Sequence, residues 1–354
     1  MTNEDSRAEA DELRSQAEAV DTFKSLESLE EAASLYKRAG MQYMKCGYVT
    51  DGRRCSGWAQ LLRGLAFMER NLVVDAAKMF KSASQVLSSA AETELRMLGE
   101  VGHFLALTAV ELLELNFEAA RLRYGEALSR LDKLADFPPK AIKPFKLLAL
   151  EMEGELKYAQ AYLLASKVDL QTALPVITDA ARCYNNASAE AVSQNTRQAF
   201  KATSSGLQAA HRIWGAWSLQ KLWKLEEASQ ELTVARQDLT RTFDVFSDVK
   251  DPTAKHLAMA AKIKGLDLTA QGLQIIERGF HALFAGNPQE ARQEFQAAEE
   301  TLRRAEETLS KASHFGCFDL AFAQDRRADS ERLILALLHY HATPDQAVDP
   351  TTRR

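Results

Sequence analysis

Six segments of this chain repeat one spacing. An apolar residue or proline is followed by alanine three positions on, a larger residue four further, and a second alanine three beyond that. The segments are Leu29-Ala32-Tyr36-Ala39, Val73-Ala76-Phe80-Ala83 and Phe117-Ala120-Tyr124-Ala127 in the first half of the chain. In the second half they are Leu170-Ala173-Ile177-Ala180, Leu225-Ala228-Leu232-Ala235 and Pro288-Ala291-Phe295-Ala298. Apolar residues three and four apart fall on one face of an α-helix. Each segment is therefore a helix with a stripe of small residues, along which a second helix can approach closely. The larger side chain between the alanines fills the space toward a neighbour. A helical run precedes every segment, in most cases with a short break between, such as Arg70-Asn71, Glu114 to Asn116 or Gly286-Asn287. The unit is a helical hairpin, and such hairpins bury their remaining faces by stacking on one another.

The rest of the chain agrees. Gly (16) and Pro (8) make up about 7% of the residues, against a usual ~12%, too few turns for a β-sandwich or an alternating βαβ fold. Hydrophobic residues are 46% and charged residues 26%, enough apolar surface for a packed core. No strand-like alternation stands out. The expected fold is all-α: about twelve to fourteen helices in a right-handed superhelical stack of antiparallel hairpins. One continuous solenoid over residues 11–341 is expected, with flexible ends at 1–10 and 342–354. Weak seams fall near 136–145, where Pro138, Pro139 and Pro144 cluster, and near 245–255, around Pro252. Asn185 to Gly206 is a softer connector, and Pro175 and Pro288 suit first turns of helices. Two more helices, Glu299 to Ser313 and Phe318 to His341, follow the last repeat, and the final one caps the stack.

The pattern resembles the tetratricopeptide repeat. Gly64, Phe67, Asn71, Val73, Ala76, Phe80 and Ala83 match its helix-A, turn and helix-B positions, and Gly279, Gly286, Pro288, Ala291, Phe295 and Ala298 match nearly as well. The resemblance runs loosely over residues 30–298. The family's period is 34 residues. Here the first alanine recurs after 44, 44, 53, 55 and 63 residues, from Ala32 to Ala291. The longer units are similar, more distantly, to soluble NSF-attachment adaptor proteins. What the resemblance implies is an irregular α-solenoid that binds other proteins.

Charge and motifs narrow the function. A net charge of −5 and a pI near 5.9 argue against nucleic acid as the main partner. Cys46, Cys55, Cys183 and Cys317 are too few for a disulfide scaffold and fit a reducing, cytoplasmic compartment. The acidic start, MTNEDSRAEADELR, is unlike a signal peptide. The most apolar stretch, Phe104 to Phe117, carries Glu111 and Glu114 and is too short to span a bilayer. No cofactor motif is found: no phosphate-binding glycine loop and no nucleophile elbow. Glu100 and His103 have the i, i+3 spacing of di-iron bundles but lack the second such pair. His339 and His341 fit a helix C-terminus better than a ligand pair. Cys46 and Cys55 are too far apart for a zinc knuckle and read as two ordinary thiols, with a lowered Cys55 pKa beside Arg53-Arg54 as the lesser alternative. The basic pairs and the Lys140, Lys143, Lys146 run read as solvated faces.

The candidate site is aromatic. Trp214, Trp217 and Trp223 lie in HRIWGAWSLQKLWKLEEA. By the resemblance, Trp217, next to the small Ala216, occupies a position that faces the concave groove, and Trp58, Leu61, Leu65 and Met68 occupy groove-side positions in an earlier unit. Large aromatics at helical spacing also suit a core, and both readings stay open here. The clamp that some family members use for carboxylates reads Leu61, Leu65, Leu105 and Ala109 in this chain, so that mode is not expected. The expectation is a non-catalytic scaffold or adaptor that takes a protein or peptide segment on a helical groove, with Trp217, Trp214, Trp58, Leu61, Leu65 and Met68 as contacts. Alternatives are a peptide- or small-molecule-sensing regulator and a helical enzyme with a spatially assembled site. A homo-oligomer is compatible with each.

Overall fold

A computed structural model describes residues 3–22, 25–167, 170–249 and 251–342. Its elements are α1 (Asn3–Ala19), α2 (Leu26–Lys45), α3 (Val49–Glu69), α4 (Val73–Ser88), α5 (Thr93–Leu113), α6 (Phe117–Leu131) and α7 (Pro139–Lys167). There follow α8 (Leu170–Glu190), α9 (Gln194–Lys221), α10 (Leu225–Ser247), α11 (Ala254–Phe284), α12 (Pro288–Leu309) and α13 (Cys317–Ala342). Short 3-10 turns sit at Asp132–Leu134 and Ser310–Phe315. Each helix packs on its neighbours in sequence, so the fold is an all-α solenoid of helical hairpins.

The six repeated segments lie in the even-numbered helices α2 to α12, and in five of the six the first motif residue is also the first helical residue. All twelve motif alanines are at most 1% exposed. Phe80 shows why the spacing works. A Cβ placed on Gly64 of α3 would come within 2.5 Å of the Phe80 ring, and one on Gly102 of α5 equally close. The ring is clamped between its own hairpin and the next, and only hydrogen-faced helices admit it there. Gly279 and Phe295 repeat the arrangement between α11 and α12, at 2.4 Å. Tyr124 of α6 is the exception and stays half-buried, where α6 packs only loosely on α7.

One three-residue turn recurs within the hairpins. At Asn71, Leu115, Trp223 and Gly286 the central residue has φ of 59°, 56°, 61° and 78°. Its N–H and the next one return to carbonyls of the preceding helix, as in Asn71 to Met68 at 2.9 Å and Leu72 to Phe67 at 2.8 Å. This closes the orphan carbonyls of the helix end. Asn116 and Asn287 then cap the following helix by accepting from the N–H of Ala119 and Glu290.

Several boundaries differ from the sequence reading. Helix α1 already begins at Asn3, so most of the segment assigned to a flexible start is helical. Pro144 and Pro175 are each the sixth residue of their helices rather than breaks or first-turn residues. The helices break at 132–138 and at 191–193, and α10 ends at Ser247 while α11 begins at Ala254 behind a capping box of Thr253 and His256. Residues 343–354, most of the expected C-terminal tail, lie outside the described residues, as do the side chains of His339, Tyr340 and His341.

Two large hydrophobic cores and two smaller clusters fill the stack, and the large ones share α7: Phe145 and Met152 belong to the first, Tyr158 and Ala161 to the second. The odd-numbered helices curl until α3 meets α11, where the Lys255 ammonium reaches Glu69 at 3.4 Å. Helix α13 then folds back over their inner side. Phe318 packs on Tyr162 of α7 with centroids 5.5 Å apart, and Phe322 packs on Trp217 of α9 at 5.6 Å.

Candidate functional site

Trp214 and Trp217 stand three residues apart on α9 and so share a face. Trp214 is 2% exposed, stacked on Tyr158 at 5.4 Å and met edge-on by Tyr162 at 5.7 Å. Trp217 is half-buried. Two cations sit against its ring, the Lys221 ammonium at 3.4 Å and the Arg326 guanidinium at 4.1 Å from the centroid. Both indoles line a solvent-open cleft of about 40 Å³, walled by Tyr162 of α7, Leu170 of α8 and Phe322, Asp325 and Arg326 of α13. Burial pulls the Arg326 pKa below its ordinary value, against Asp329 and Asp325. Burial, with Arg326 close by, does the same to Lys221. The Nε1–H of Trp214 and the Nε–H of Arg326 are buried without a hydrogen-bond partner among the described residues.

The other four expected contact residues lie elsewhere. Trp58 is half-buried and stacks on Tyr36 with centroids 6.0 Å apart. Leu61, Leu65 and Met68 are buried in the first core and present no groove surface. The reason is that α3 is covered by α2 and α4 and touched by α5 and α11, so its apolar positions are packed from several sides. The structure thus unites Trp214 and Trp217 and separates both from the α3 group. Trp223 is 60% exposed at its turn, with Phe280 and Phe284 edge-on to it at 5.2 and 5.4 Å.

The remaining motifs have local partners. Glu100 is held by Arg130 at 2.8 Å, and His103 donates from Nδ1 to the Ala77 carbonyl at 2.9 Å. Burial pushes the Cys55 thiol up to about 11, against the pull of Arg14 and Arg54. Arg54 binds Glu92, Arg303 binds Glu300 and Glu307, and Arg327 binds Glu306.

A second constellation was not anticipated. Lys262 of α11, 1% exposed, places its ammonium 3.3 Å from Glu155 of α7 and 3.9 Å from Asp319 of α13, over the Tyr158 ring at 4.0 Å. Tyr184 donates to Glu155 and Tyr158 to Asp319. Two helical turns away on α11, Lys255 pairs with buried Glu151 as well as Glu69. Burial raises Glu151 to about 7 and Asp319 to about 6, each against the pull of its lysine. His314, wedged against Phe315, is driven down to about 3 by burial and then by Lys255 and Lys262. Lys262 and Glu155 are 107 residues apart in sequence, and Lys255 and Glu69 are 186 apart. The signal available was the heptad spacing of Lys255 and Lys262 inside the apolar face of a long helix. The cluster joins α3, α7, α8, α11 and α13 at the centre of the stack.

No protein-family model matches this chain, and no curated protein matches it.

Proposed function

We propose that this chain is a non-catalytic, tetratricopeptide-like scaffold that takes a segment of a partner protein at the cleft between α7, α9 and α13. The observation that carries this reading is Trp217. It is a half-buried indole flanked by Phe322, Lys221 and Arg326 at the mouth of a cleft. Rigid aromatic and arginine side chains around a pocket are the common anchors of protein recognition. The cleft lies where α13 folds back over the odd-numbered helices, so a bound segment would sit against the capping helix and the stack together. The mild net negative charge and the pairing of the basic clusters favour a protein partner over nucleic acid. A cytoplasmic setting belongs to the same proposal.

The test is affinity capture from native cells with wild type and Trp217→Ala side by side. A stoichiometric partner that is lost in the variant, with helical content and melting temperature close to wild type, supports the reading. A partner retained by the variant, or capture of nothing but more of this chain, rejects it.

A further inference from the structure

We propose that the groove between α2 and α3 binds an aromatic monocarboxylate, with its carboxylate on Arg63 and a neutral hydroxyl at its far end between Arg70 and Glu30. The groove is separate from the cleft at Trp217 and does not depend on the partner-binding reading. It is an open hollow of about 430 Å³, within the roughly 300–1,000 Å³ usual for small-molecule sites. Its α2 wall is Glu30, Ala33 and Ser34, and its α3 wall is Arg63, Ala66, Phe67 and Arg70. Spacings of three, four and seven place each set on one helix face. Ala33 and Ala66 are 1% and 3% exposed and make the floor, where larger side chains would fill the hollow.

The charges select the head group. Arg70 is ion-paired with Glu30 across the groove, and the two cancel. Arg63 is exposed and has no ion pair or hydrogen bond among the described residues. The lining therefore carries one uncompensated positive charge. A guanidinium presents a fork of N–H donors that a carboxylate accepts two at a time. A second negative charge on the ligand would face Glu30, which disfavours a phosphate dianion. The helices are antiparallel, with Glu30 level with Arg70. Ser34, one turn further along α2, thus lies toward the Arg63 end, where its hydroxyl can donate to the same carboxylate. The middle selects the body. Between the two ends lie the alanine methyls and the half-buried Phe67 ring, an apolar surface on which a second ring packs favourably. Arg63 and Arg70 are two turns apart, about 10.5 Å along α3. That is the span of a ring with a short carboxylate arm on one side and a hydroxyl on the other. A hydroxyl both donates and accepts, so it can meet Glu30 and Arg70 together.

The test uses the full chain labelled with ¹⁵N and deuterium, with the backbone amides of α2 and α3 assigned. The probe is 3-(4-hydroxyphenyl)propionate, titrated beside its uncharged amide and beside inorganic phosphate at matched ionic strength. The carboxylate should shift the amides around Ser34 and Phe67 saturably, with a Kd on the order of millimolar for a molecule this small. The amide probe should bind about tenfold more weakly, and Arg63→Gln should weaken the carboxylate by a similar factor. Arg63 has no partner to lose within the protein, so this variant keeps the fold, and the comparison of carboxylate with amide needs no variant at all. Equal affinity for the amide, tighter binding of phosphate, or wild-type affinity in Arg63→Gln overturns the proposal. So does the absence of a saturable response in α2 and α3 at about 10 mM probe.

Discussion

Replacing Lys262 with methionine removes the ammonium that touches both Glu155 and Asp319 in the buried centre. The side chain keeps nearly its length, so the packing change is small and the electrostatic change dominates. Glu155 and Asp319 are 3% and 2% exposed and would keep only the hydroxyls of Tyr184 and Tyr158 as partners. Breaking a buried ion pair from one side costs about 3–5 kcal/mol, and loss of the contact with the Tyr158 ring adds about 1 kcal/mol. The carboxylates can escape part of this by protonation, since burial already raises both. Each pH unit is worth about 1.4 kcal/mol per group. The defect should therefore be largest near pH 8 and shrink toward pH 5.5. For a chain this long, about 2 °C per kcal/mol is an upper guide, so a fall of several degrees is expected at pH 8, read by thermal melting at 222 nm. Adding Asp319→Asn and Glu155→Gln should recover much of the loss, because a neutral set no longer needs the ammonium. A Lys262→Met protein that melts within a degree of wild type at every pH would show that the cluster is not a charged clasp.

Three further outcomes follow from the geometry. Gly64→Ala drives a Cβ to 2.5 Å from a Phe80 ring that Gly102 prevents from retreating, and should cost about 1–3 kcal/mol; a neutral result would mean the hairpins slide freely. Leu115 holds φ at 56° while half-exposed, and Leu115→Asn, the residue used at the matching Asn71, should stabilise by about 0.5–1 kcal/mol in chemical denaturation; a loss would place the Leu115 side chain in an important contact. Glu151 has its folded pKa raised to about 7 by burial, so the stability it contributes is complete below its unfolded value and lost as pH rises through about 7. The stability of Glu151→Gln relative to wild type should therefore climb between about pH 5 and pH 8, the histidines cancelling in the comparison, and a flat difference would disprove the raised value.

The hairpin pattern was legible because it is local. An alanine three or four residues from an aromatic on one helix face carries its own meaning, and all twelve alanines lie at helix contacts. The recurring turn was partly legible: Gly286 and Asn71 announce a left-handed residue, whereas Leu115 and Trp223 at the same place do not. Trp214 and Trp217 were found as a pair by spacing, but what faces them was not, since Phe322 and Arg326 are more than 100 residues away. Leu61, Leu65 and Met68 went into the core because the odd-numbered helices curl until α3 approaches α11, which a straight stack would not do. The charged centre showed only in the heptad spacing of Lys255 and Lys262, for the same reason. Lysines and glutamates with helical spacing look solvated until the curl and the return of α13 bring them together.

Hydrogen–deuterium exchange of the intact protein, alone and with its captured partner, tests the central claim most directly. The account predicts slowed exchange in the stretches around 162–165, 214–221 and 322–326, the walls of the cleft, with the α2–α4 hairpins unchanged. Protection confined to the α2–α4 region, or to the exposed turn at Trp223, would contradict it.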